Sequence, residues 1–168
     1  MFKKKIKNKK FFLIFFCFLF LLTSFFVFLF FLISEFRSVD KIIFNDGAIV
    51  SSKIKNKEIN VELAVSFDKQ YLGLSHRESI PNDFGMLFLF PEKDIRSFVM
   101  RDMKFNLDIV FIDENEIVEI YKNLSFDQFS QNIYYKSVVP VDKVLELRGG
   151  FCDEHKISIG DKFYLNKD

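Results

Sequence analysis

Cysteine is almost absent from this chain of 168 residues: Cys17 sits in a long apolar run and Cys152 stands alone far downstream. No disulfide can form within the part that follows the run, so its stability has to come from an apolar core. Glycine and proline number only six and three, and the chain holds no phosphate-cradling Gly-rich loop, no nucleophile elbow and no zinc-protease helix motif. Acidic residues are missing from the first 34 positions. All 23 of them follow the apolar run, whereas six of the 24 basic residues precede it, leaving the remainder with a net charge of about −5. That balance argues against a nucleic-acid partner, which calls for a basic stripe. No internal repeat is present, and no low-complexity segment lies outside the run.

The run itself, Phe11 to Ile33, holds 23 positions without a charge, a glycine or a proline. As a helix it would extend roughly 34 Å at about 1.5 Å per residue, enough to cross a bilayer. Thr23 and Ser24 can return their hydroxyls to the helix backbone, so nothing polar is left facing lipid. A buried core helix is the competing reading, but globular helices rarely stay apolar all round for six turns. Lys3, Lys4, Lys5, Lys7, Lys9 and Lys10 precede the run, and the positive-inside rule then holds the N-terminus in the cytoplasm and exports the rest. A cleavable signal peptide, leading to a secreted product, is the alternative. It fits less well, because the apolar stretch exceeds the usual core of about 7–15 residues and no small-x-small site follows. The expected organisation is a cytoplasmic basic tail at 1–10, a signal-anchor at 11–33 with the lipid bilayer as its partner, a tether at 34–41, and one extracytoplasmic domain at 42–168.

Within that domain, Asp46-Gly47 suggests a turn in a first hairpin. Ile59, Val61, Leu63 and Val65 alternate with Asn60, Glu62 and Ala64, as in a strand. Ser66 suits the N-cap of a short helix ending near Gly73. Met86 to Phe90 reads as a buried strand stopping at Pro91, and Ser97 to Met100 as a further short strand. Leu107 to Ile112 and Ile117 to Tyr121 flank a polar turn and predict a hairpin. Val144 to Leu147 is a strand, Phe151 to His155 a helical turn, and "ISIGDKFYL" a returning strand. Many short strands with few helices predict a mainly β domain, a sandwich or partly closed barrel.

The ordered segments "YLGLSHR", "GMLFLF", "SFVMRDMKFNLDIVFID", "VLELRGG" and "ISIGD" resemble the domain of unknown function 192 family over about 61–165. Gly73, Leu74, Arg77, Gly85, Met86, Leu87, Phe88, Phe98, Met100, Leu107, Asp108, Glu146, Gly160 and Asp161 fit its pattern. Ser75, Val99, Asp102, Met103 and Asn106 depart from it. The resemblance implies a compact jelly-roll-like β-sandwich, often exported, with no settled activity.

Asp108 is the residue that most needs a physical explanation, since a carboxylate between apolar neighbours on a strand loses several kcal/mol of hydration. It requires a cation, backbone amides or a raised pKa. Arg96, Arg101 and Lys104 are the nearby cations. Two readings follow: a brace that pins the loop from Arg96 to Asn106, or a site carboxylate in a pocket. Candidate binding residues are accordingly Glu62, Arg96, Met100, Arg101, Asp102 and Asp108. Cys152 and His155 share one side of a helical turn but lack further ligands, and Met86, Met100 and Met103 serve as core filler unless they hold copper(I). No metal or cofactor is expected. With no complete catalytic set, the sequence favours an extracytoplasmic domain binding a small molecule, a glycan or an envelope protein. The alternative is a hydrolase pairing Asp108 with Glu62 or Asp102.

Overall fold

A computed structural model of the chain describes residues 15, 19–30, 45–127, 129 and 133–166. The chain divides into two units, Met1–Ile43 and Phe44–Asp168. In the first, residues 19–30 are helical, and the Thr23 hydroxyl donates to the Phe20 carbonyl at 2.9 Å. The basic tail, both ends of the predicted span and the whole of the tether lie outside the described residues. Among the described residues no helix is long and apolar enough to cross a membrane.

The second unit is mainly β. Its strands are β1 (Ile49–Ile54), β2 (Lys57–Ala64), β3 (Phe84–Asp94), β4 (Ser97–Phe98), β5 (Leu107–Asp113), β6 (Glu116–Leu124), β7 (Tyr135–Lys136), β8 (Val141–Arg148) and β9 (Phe163–Leu165). Two short helices, α1 (Phe67–Leu72) and α2 (Phe151–Glu154), interrupt them. Seven strands form one sheet in the order β6-β5-β8-β3-β2-β1-β9, with β4 and β7 as a separate pair. The sheet curls into a half-barrel, which realises the partly closed alternative rather than a flat sandwich. Its edges meet at one corner, where the Ile117 amide donates to the Asp161 carbonyl and the Phe163 amide to the Asn115 carbonyl.

Alternation of side chains along the strands builds two apolar clusters, one on each face of the sheet. The inner cluster draws on every strand of the curl except the short pair, with Val61, Leu63, Leu87, Val110, Leu147 and Phe163 among its members, and α2 adds Phe151 and Cys152. The outer cluster contains Ala64, Met86, Phe88, Ile109, Phe111 and Val144, covered by Leu74, Met100 and Met103 from the connecting segments. The three methionines are therefore packed as core.

Local rules account for most element ends. Ser66 caps α1, its hydroxyl accepting from the Lys69 amide at 3.1 Å, and Gly73 ends the helix at φ 54°, a left-handed value that glycine adopts at little cost. The β5–β6 hairpin turns at Glu114 and Asn115 as predicted. Two expectations differ. The Asp46-Gly47 turn does not join the strands of the first described hairpin: β1 and β2 turn at Lys55 and Asn56, and the apolar run before Asn45 lies outside the described residues. Asp46 instead reaches the start of α1, accepting from the Val65 and Ser66 amides and the Ser66 hydroxyl. Likewise β3 does not stop at Pro91. It continues to Asp94 through a register shift after Leu89, an irregularity that tolerates a residue without an amide hydrogen.

Candidate functional site

Three carboxyl side chains are buried in the sheet, Glu62, Asp108 and Glu146, and register sorts them by face. Asp108 lies opposite Leu147 of the inner cluster. Glu62 lies opposite Met86, Met86 opposite Glu146, and Glu146 opposite Ile109, so this row crosses the outer face. Asp108 and Glu62 therefore stand on opposite sides of one sheet.

The partners of Asp108 are backbone amides, not cations. One oxygen accepts from the Asn123 amide at 2.6 Å and the Gly150 amide at 2.9 Å, the other from the Cys152 amide at 2.6 Å. Helix α2 has no side-chain cap of its own, so β5 supplies from across the fold the acceptor that its first amides need. The expected brace is real, but it pins the β6 end and α2 rather than the loop from Arg96 to Asn106. Burial, reinforced by the neighbouring Asp108 charge, pushes the Cys152 thiol well above its ordinary range, so it is an inert core thiol. His155 packs its ring on Phe151 instead of meeting Cys152 at a shared ligand position.

The other face is open. A cleft of about 360 Å³ lies over the outer cluster, between α1 with the turn that follows it and the segment 95–103, with aromatic walls that include Tyr71, Phe88, Phe90 and Phe98. At its base is Glu146, only 4% exposed, whose Oε2 has no hydrogen-bond partner. Burial pushes this carboxyl up to about 8, against the opposing pull of the Arg77 guanidinium and the Leu74 amide. At neutral pH it is a carboxylic acid, able to donate as well as accept. Gly73 comes close to it: a Cβ there would lie 3.6 Å from Oε2.

Of the residues expected at a site, Arg96 and Arg101 line this cleft. Arg96 lies over the Phe90 ring and donates to the Glu92 carbonyl, while its buried Nε has no partner. Arg101 lies over the Tyr71 ring and donates to the Tyr71 carbonyl. Lys104 is turned away to Glu78. Met100 is fully buried beneath the loop, and Asp102 is exposed on a left-handed turn. Glu62 sits outside the lining of the cleft with one oxygen on Lys69 and the other on Arg77. Burial alone would raise its pKa, but hydrogen bonds from those two cations outweigh this and hold it below the usual range.

The model of the uncharacterized ACR family DUF192 matches residues 48–165, the greater part of the chain. The chain belongs to the DUF192 family. Solved structures that share the fold include the following two. One is a protein from Sinorhizobium meliloti 1021, provisionally described as a transcription regulator, 27% identical with a TM-score of 0.67, covering 73% of this chain and 97% of that one. The other is a protein of unknown function from Novosphingobium aromaticivorans DSM 12444, 28% identical with a TM-score of 0.64, covering 68% and 84%. No curated protein matches the chain. Glu146 belongs to the DUF192 pattern noted above, yet sequence reasoning gave it no site role. The signal was present: an acid inside the apolar run Val144–Leu147, the same anomaly that singled out Asp108. Three departures from the pattern, Ser75, Val99 and Met103, line the cleft, so this member presents its own surface there.

Proposed function

We propose that the protein is a membrane-tethered, extracytoplasmic binding domain whose cleft over Glu146 holds a small molecule. The observation that carries the reading is the unpartnered, buried Oε2 of Glu146 at the base of an aromatic-lined cleft. Buried polar atoms are almost always hydrogen-bonded, and an orphan costs about 1–3 kcal/mol. A ligand able to bond to it offsets that cost on binding. The cleft volume falls at the lower end of the range for small-molecule sites, about 300–1,000 Å³, which favours a compact ligand over a glycan chain or an envelope protein. Tethering and export are supported by the lysine-preceded apolar run.

Hydrolysis gains less from this geometry. Asp108 is on the far face with both oxygens occupied by amides, and Glu62 has both oxygens on cations. Neither is placed to act as a base beside Glu146.

A crystallographic fragment screen tests the binding reading. Fragments should gather in the cleft within hydrogen-bond reach of Glu146. A screen that leaves the cleft empty while populating other surfaces refutes it.

A further inference from the structure

Charge distinguishes the cleft from the rest of the domain. The charged side chains that line it are Arg96, Arg101 and Glu146, and with Glu146 protonated the lining is purely cationic. It belongs to an export domain whose net charge is about −5. Cations in such a setting are usually neutralised by a neighbouring carboxylate, yet Arg96 makes no ion pair among the described residues: its side chain donates to the Glu92 carbonyl oxygen. Its partnerless Nε is a second orphan beside the same cleft as the orphan of Glu146. The guanidinium carbon stands 3.9 Å from the Phe90 ring centroid, and a planar guanidinium meets planar anions in pairs of hydrogen bonds. The remaining walls, Tyr71, Phe88, Phe98 and Met103, offer apolar contact to a flat body.

We infer that the cleft selects a compact monocarboxylate with a flat apolar body, its carboxylate held by Arg96 and its body lying against the aromatic walls above Glu146. The inference rests on the small-molecule reading of the cleft and adds the chemical class. Arg101 is tied to the Tyr71 carbonyl and approaches Asp102 at 3.9 Å, so it contributes field more than direct bonds. Glu146 donates to any acceptor that the ligand's body carries.

The test titrates the full-length protein, in non-ionic detergent, with three probes of matched shape: 3-phenylpropionate, its neutral amide, and 2-phenylethyl phosphate. Calorimetry should give 3-phenylpropionate an affinity about tenfold above that of the amide, the gain expected from one charge-assisted hydrogen bond. Arg96→Gln should bring the two to the same affinity. Because Arg96 also holds the Glu92 carbonyl, Arg96→Lys serves as a second variant and should retain part of the preference. The ratio in the unaltered protein decides the matter even if both variants misfold. Amide binding as tight as that of the acid overturns the anionic class while leaving a small-molecule cleft standing. Tighter binding of the phosphate overturns the choice of carboxylate. Failure of all three probes to bind overturns the inference, and the fragment screen then decides separately whether the cleft reading survives.

Discussion

Asp108→Asn isolates the work done by one buried carboxylate. The substitution preserves shape but replaces one acceptor oxygen with an amino group. If the retained oxygen faces Asn123 and Gly150, their amides, now 2.6 and 2.9 Å away, keep a weaker, neutral acceptor. The new amino group then faces the Cys152 amide, at present 2.6 Å from the oxygen it replaces. Two donors would oppose each other in a site with no water-exposed surface, since Asp108 is fully buried. Losing one charge-assisted bond and orphaning its amide costs about 2–4 kcal/mol. For a domain of this size that lowers the melting temperature by on the order of 10 °C. Thermal and urea unfolding would measure the loss. Hydrogen exchange would locate it, with faster exchange at the Cys152 amide and along α2. Melting within about 2 °C of the unaltered protein, with protection at Cys152 unchanged, would refute the account of Asp108 as the remote cap of α2.

Two further outcomes are expected. Glu146, with its pKa raised to about 8 from 4.5, keeps a proton in the folded state that the unfolded chain has released between those values. Its contribution to stability is therefore present below about pH 4.5, declines as pH rises toward 8, and levels off beyond; Arg77 and the Leu74 amide are the groups that temper it. Over that window the unaltered protein should lose on the order of 3–5 kcal/mol relative to Glu146→Gln, and parallel urea midpoints of the two proteins across the window would refute the assignment. For topology, a compartment-sensitive reporter fused after Asp168 should give signal only outside the cytoplasm, and a cytoplasmic signal would overturn the export reading.

The strands were legible because their cause is local. Alternation from Ile59 to Leu63 and turn chemistry at Glu114 and Asn115 are written in adjacent residues, and the β5–β6 pairing follows from the latter. Closure of the curl depends instead on contacts such as Ile117 to Asp161, which no short window contains. The same distinction explains the site. A search for the partner of Asp108 among sequence neighbours finds arginines and a lysine, because only side chains advertise themselves in a sequence. The true partners are amides 15, 42 and 44 residues away, and every non-proline residue carries one of those. Glu146 shows the converse. Its burial comes from α1 and the turn at Gly73, which the strand pattern of Val144–Leu147 does not foretell. The two acids look alike in sequence, each embedded in a strand of large apolar residues, and the outcome differs because they face opposite sides of the sheet. On the inner side the backbone satisfies both oxygens of Asp108 and leaves it only structural work. On the outer side one oxygen of Glu146 is left without a partner, and the binding proposal rests on this unmet bond more than on the position of any charge.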